Sequence, residues 1–145
     1  MLVQAILKSK ATGGVVTVAS SATVAEAASL LSEKRIGTVV ISDDEGKSAA
    51  GILSERDIVR ELAASGGACL DKPVSEYMTR DLVTCTRQMS VEEVLTRMTE
   101  GRFRHMPVVE EGQLVGIVTL GDAVKAQLTE LAMEKDALEG MIKGF

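Results

Sequence analysis

The chain has 145 residues, 46% of them hydrophobic, with a net charge of −5, one tyrosine, two phenylalanines and no tryptophan. That is enough apolar mass for one compact domain or an intimate pair of halves, while the acidic, aromatic-poor balance argues against nucleic acid, which needs a basic footprint and stacking platforms. No window approaches the ~18 apolar residues of a membrane span, and Met1 to Lys10 lacks a signal-type pattern, so the expected location is the cytoplasm, with no membrane partner.

In chain order, Leu2 to Leu7 is apolar enough to pair or pack, and Thr12-Gly13-Gly14 turns the chain. Val15 to Ala19, rich in β-branched residues, predicts a strand. Thr23 with Glu26 three residues later predicts a capping box, and Val24, Ala27, Ala28 and Leu31 follow at helical spacing. Ile36 to Ser42 predicts a buried strand, Asp43 to Lys47 a turn, Ala50 to Ser54 the return strand, and Glu55 to Ala64 a helix that Ser65-Gly66-Gly67 breaks. A linker through Asp71-Lys72-Pro73 leads to a strand Leu82 to Thr86, a helix Ser90 to Glu100, a hairpin of Met106 to Val109 with Leu114 to Thr119, and a long helix from Gly121 onward. Val124, Leu128, Leu131, Leu138, Met141 and Ile142 keep that helix apolar well past the length of its first-half counterpart. They suit either a second subunit or a fold back over the chain's own core. Cys69 and Cys85 are in no Cys-x-x-Cys spacing and read as unpaired packing thiols, Cys85 being the one expected inside.

The two halves, 1–72 and 73–145, repeat one another. Thr23-Val24-Ala25-Glu26-Ala27 recurs as Ser90-Val91-Glu92-Glu93-Val94, and Arg35 to Ile41 as Arg102 to Val108, both at an offset of 67 (90 − 23 and 102 − 35). Gly51-Ile52-Leu53-Ser54-Glu55-Arg56-Asp57 recurs as Gly116-Ile117-Val118-Thr119-Leu120-Gly121-Asp122 at 65 (116 − 51), the difference falling in a polar turn. Each half is therefore strand, helix, hairpin, helix, in an α+β fold.

Catalysis has little to stand on: one histidine, His105, no His/Cys ligand cluster, no Gly-x-Ser-x-Gly and no Walker-type loop. Binding has the duplicated Ser/Thr-x-x-Asp. A carboxylate at a strand end can accept hydrogen bonds from two neighbouring ribose hydroxyls, with the Ser or Thr hydroxyl adding a third contact. Equally, Ser54 with Asp57 and Thr119 with Asp122 make good capping boxes, worth about 1 kcal/mol.

Taken with its duplication, the pattern resembles the CBS domain, and the pair a Bateman module, over nearly the whole chain: "GILSERD" at Gly51 to Asp57, "GIVTLGD" at Gly116 to Asp122, Tyr77-Met78-Thr79, and "RFRHMPVV" at Arg102 to Val109. The resemblance implies two β-α-β-β-α units packed pseudo-symmetrically through their sheets, an extended C-terminal helix, and two clefts for adenosyl compounds such as AMP, ADP, ATP, NAD or S-adenosylmethionine. It places Asp122 and Thr119 on one ribose, with Val16 and Ile36 against the adenine and Ala11 at the entrance. It places Ser54 and Asp57 on the other, with Met78, Thr79, Val83 and Phe103 around the base. Arg104 and His105 stand where phosphate would be met, or are simply edge residues. Arg56 could supply a cation to the first-half cleft, and Lys8 and Lys10 are further candidates or plain surface lysines. This charge favours phosphate over a sulfonium and makes the Asp122 cleft the tighter one for phosphate-bearing ligands. The function implied is a stand-alone, non-catalytic, homodimeric regulator sensing energy or redox state and acting on a separate target protein. The alternatives are a dimerisation scaffold whose aspartates only cap helices, and an enzyme acting on a nucleotide.

Overall fold

The structure is a computed structural model that describes residues 1–10 and 14–144. It is a mixed α+β fold of two small sheets and five α-helices among the described residues: α1 Val3–Ser9, β1 Thr17–Val18, α2 Val24–Lys34, β2 Thr38–Ile41, β3 Gly51–Ser54, α3 Glu55–Ser65, α4 Val91–Gly101, β4 His105–Glu110, β5 Gln113–Thr119 and α5 Leu120–Ile142. The chain divides into two compact units. One comprises Met1–Gly13, Thr84–Val108 and Ile117–Phe145; the other Gly14–Val83 and Val109–Gly116.

In the second of these, β1 pairs parallel with β2, and β2 antiparallel with β3, Val39 facing Leu53. All four residues of β2 are buried, which accounts for its unbroken apolar run. Leu53, Val39, Ile41, Val24, Ala27, Leu31, Ile58, Val74 and Met78 form one apolar core. Only two residues of each strand pair in the β1–β2 ladder, so the strand expected over Val15 to Ala19 is shorter than its β-branched run.

The first unit repeats the plan with one omission. The strand expected over Leu82 to Thr86 is not formed; a single parallel bridge, Cys85 to Val108, stands in its place. The repeat supplies the reason. In the first half the Val40 N–H donates to the Val16 carbonyl at 3.1 Å, and the residues at those positions in the second half are Pro107 and Val83. Proline has no N–H, so that rung cannot be made, and Val83 is left 41% exposed. The Leu2 to Leu7 segment pairs and packs as expected, Leu2 by a bridge to Ser90 and the rest as the start of α1: Val3 and Ile6, one turn apart, are buried, and the Val3 and Gln4 N–H groups donate to the carbonyls of Met89 and Arg87. Seven residues are too few to be helical alone, so this packing holds α1. Cys69 and Cys85 are both buried and in no disulfide, so Cys69 lies inside as well as Cys85.

Helix ends recur between the halves. Thr23 Oγ1 accepts the Glu26 N–H and Ser90 Oγ the Glu93 N–H, each at 3.1 Å, and both helices end on an arginine in the left-handed region, Arg35 and Arg102. Only the hydroxyl half of each expected capping box forms here; the Glu93 carboxylate meets Arg97 at 3.0 Å instead. Thr23→Ala is expected to cost about 1 kcal/mol, to be read from urea unfolding. The C-terminal helix buries Ala123 and Ala126 in its first turns but leaves Leu128, Leu131, Leu138, Met141 and Ile142 at least half exposed. It does not fold those residues back over the core of its own unit.

Candidate functional site

Each Ser/Thr-x-x-Asp sits where a strand runs straight into a helix. Ser54 closes β3 and caps α3: its Oγ accepts the Asp57 N–H at 3.2 Å, and Asp57 Oδ2 accepts the Ser54 N–H at 2.9 Å. Thr119 closes β5 and caps α5 in the same way, with both distances 3.0 Å. Both capping boxes are therefore complete. The next amide is also held identically, Glu55 N–H by the Gly37 carbonyl at 2.9 Å and Leu120 N–H by the Arg104 carbonyl at 2.8 Å. These bonds lay the start of the preceding hairpin strand beside each carboxylate.

The cap leaves acceptor capacity unused. Neither acid is turned out to solvent, since the Asp57 and Asp122 side chains are 17% and 27% exposed. A carboxylate can accept about four hydrogen bonds. At Asp57, Oδ1 meets only Arg60 among the described residues, itself 72% exposed, at 3.2 Å. At Asp122, Oδ2 takes both the cap and Lys10 Nζ at 2.7 Å, and Oδ1 has no protein partner among the described residues. Lys10 also donates to the Ile117 carbonyl at 2.7 Å.

Burial alone would push the Asp122 carboxyl up, but the Lys10 hydrogen bond, the Thr119 contacts and the Lys10 charge together outweigh it and hold the carboxyl below the usual range. A carboxyl depressed on folding contributes stability that is present above its unfolded value, about 3.9, and lost as pH falls through the folded value. The Asp122 carbon resonance should therefore titrate below pH 3.9 in the native protein, and Lys10→Met should move its midpoint up.

The other expected residues fall as follows. Thr119, Asp122, Lys10, Phe103, Arg104 and His105 belong to one unit; Ser54, Arg56, Asp57, Val16, Ile36, Met78, Thr79 and Val83 belong to the other. Ala11 lies outside the described residues. Arg56 and Arg104 have exposed side chains, Arg104 beside the start of α5 through its carbonyl. His105 opens β4 and is partly buried. Thr79 is bridged to Ile52 by paired backbone bonds of 2.9 and 3.1 Å, which lays it along β3. Met78 is largely buried in the core of its unit, next to Gly51, where an added Cβ would come within 2.8 Å of the Thr79 carbonyl. Val16 and Ile36 pack on that core, and Ile36 lines an open groove of about 510 Å³ with Leu31, Arg35, Glu55 and Ile58. Phe103 folds onto Gly101. Sequence reasoning missed Arg60, which its three-residue spacing from Asp57 could have shown. It also missed the pairing of Lys10 with Asp122, which no local spacing reveals.

Among the described residues no group of acidic, histidine or cysteine side chains could hold a metal ion, and no helix is long and apolar enough to cross a membrane. The CBS domain family matches the chain twice, over residues 7–64 and 74–129. The chain belongs to the CBS domain family. The CBS-domain containing protein ATU1752 from Agrobacterium tumefaciens is 41% identical, with a TM-score of 0.82 over 88% of this chain and 99% of that one. The CBS domain protein PAE2072 from Pyrobaculum aerophilum, solved as a complex with AMP, is 28% identical, with a TM-score of 0.78 over 92% and 99%. The CBS domain pair of protein MJ0100, solved with 5′-methylthioadenosine and S-adenosyl-L-methionine, is 29% identical, with a TM-score of 0.77 over 90% and 98%. These solved CBS proteins share the mixed α+β fold found here.

Proposed function

We propose that this protein is a non-catalytic regulatory module whose two CBS repeats, over 1–72 and 73–145, bind an adenosyl nucleotide, AMP, ADP, ATP or NAD. It acts as a homodimeric energy or redox sensor in the cytoplasm, on a target protein of its own. The observation that carries this reading is the pair of equivalent, mostly buried carboxylates at Asp57 and Asp122, each with acceptor capacity beyond its cap. A ribose presents two adjacent hydroxyl donors to such a group, and Thr119 or Ser54 stands beside it. The adenosyl ligands of PAE2072 and MJ0100 support the ligand class. A ligand acts through such a module only by binding one of two states more tightly. The exposed apolar residues Val124, Leu128, Leu131, Leu138 and Ile142, at successive spacings of four, three, seven and four along α5, support a second copy as the partner of that helix.

The completed capping boxes favour one alternative, a dimerisation scaffold in which both aspartates only cap helices. Calorimetry with AMP, ADP, ATP, NAD and S-adenosylmethionine separates the two. Saturable binding of a phosphate-bearing member supports the sensor, and no heat from any of them leaves the scaffold. Turnover of the bound ligand would show an enzyme instead.

A further inference from the structure

The two copies of the motif differ in the cation each carboxylate carries. Asp57 meets Arg60 of its own helix, a side chain mostly in solvent. At the corresponding place after Asp122 stands Lys125, which makes no ion pair with it among the described residues. Asp122 is met instead from outside its motif by Lys10, whose side chain is 29% exposed and whose ammonium is pinned by two contacts of 2.7 Å, to Asp122 Oδ2 and the Ile117 carbonyl. An ammonium has three N–H donors. Among the described residues two are used, which leaves one donor of Lys10, and Oδ1 of Asp122, without a partner there.

We propose that Lys10 is the specificity-determining residue of the Asp122 site, cancelling the carboxylate's charge so that the site takes adenosyl ligands with an anionic substituent and disfavours cationic ones. This rests on the reading that Asp122 holds the ligand's sugar. An uncompensated carboxylate about 7 Å from a phosphate, at an effective dielectric of roughly 40, weakens binding on the order of tenfold and favours a sulfonium by a similar factor. Lys10 removes that bias without occupying Oδ1. The Asp57 site, whose cation is solvent-screened, keeps more of its negative character. The two sites of one chain therefore differ in ligand charge preference, not only in affinity.

The test is calorimetry with AMP, adenosine and S-adenosylmethionine on Lys10→Met, which keeps the apolar stem, and Lys10→Arg, which keeps the charge. Both are made in an Asp57→Asn background that isolates the Asp122 site, with thermal melts confirming that each is folded. In Lys10→Met, AMP is expected to weaken about tenfold and S-adenosylmethionine to tighten about tenfold, with adenosine within about twofold; Lys10→Arg retains the parent order. Equal strengthening of adenosine and AMP would show that Lys10 merely plugs the site, and an unchanged AMP to S-adenosylmethionine ratio would show that its charge does nothing; either overturns the proposal. An added Asp122→Asn arm separates the levels. If it abolishes binding while Lys10→Met changes no ratio, only the Lys10 assignment fails. If it leaves binding intact, or if the parent binds none of the three, the sugar-binding reading fails and takes this inference with it.

Discussion

Leu53→Ala is expected to lower the unfolding free energy by about 2–5 kcal/mol, the range for emptying a fully buried leucine site. Leu53 has no exposed surface. It sits mid-strand in β3, faces Val39 across the ladder, and its carbonyl accepts the buried Thr38 hydroxyl at 3.2 Å. The backbone there is fixed on both edges, because the neighbouring Ile52 is also bridged to Thr79, so the sheet cannot close over the void. Urea unfolding followed by circular dichroism would measure the loss. Val59→Ala, at a residue 64% exposed on α3, should shift stability by no more than about 0.5 kcal/mol. Since Leu53 immediately precedes Ser54, the same variant should loosen the first capping box and with it the setting of Asp57.

The two aspartates should differ when each is changed to alanine. Both variants lose the carboxylate half of a capping box, the bond to the Ser54 or Thr119 N–H, about 1 kcal/mol. Asp57→Ala loses little more, because Arg60 is 72% exposed and a solvent-screened pair contributes almost nothing. Asp122→Ala additionally strands the half-buried Lys10 ammonium, and with its partial exposure discounted the total should reach about 2 kcal/mol. Adding Lys10→Met to Asp122→Ala should recover part of that loss, a coupling that a double-mutant cycle measures directly. Equal losses for the two aspartates, with no recovery, would show that the Lys10 contact holds nothing together.

How far the chain can be read without coordinates depends on whether the determining contacts are local. The capping boxes at Ser54 and Thr119 involve residues three apart, and the turn-and-strand pattern of the first half is local too; all of these were legible. The doubled motif made the second half legible by analogy, and the analogy failed where one residue differs. With Pro107 at the position of Val40, the second-half strand at Leu82 to Thr86 loses a rung that no propensity of its own residues could restore. Leu2 to Leu7 has no alternation to mark it as a strand and too few residues to mark it as a helix, and its state is decided by bonds to Arg87 and Met89. The candidate site divides in the same way. Both carboxylates and their hydroxyl partners could be named from spacing, whereas Lys10, whose other contact lies 107 residues along the chain, could be named only as one lysine among several.

The central claim is that Asp57 and Asp122 do more than cap helices, and AMP calorimetry on the Asp57→Asn/Asp122→Asn double variant tests it most directly. An asparagine oxygen can still accept the Ser54 or Thr119 N–H, so the caps and the fold should survive, but the NH2 that then stands in place of Oδ1 only donates and can accept neither sugar hydroxyl. The account predicts a folded protein whose AMP affinity is about 100-fold weaker, the loss of two charge-assisted hydrogen bonds per site. A folded double variant that binds AMP as tightly as the parent would contradict it.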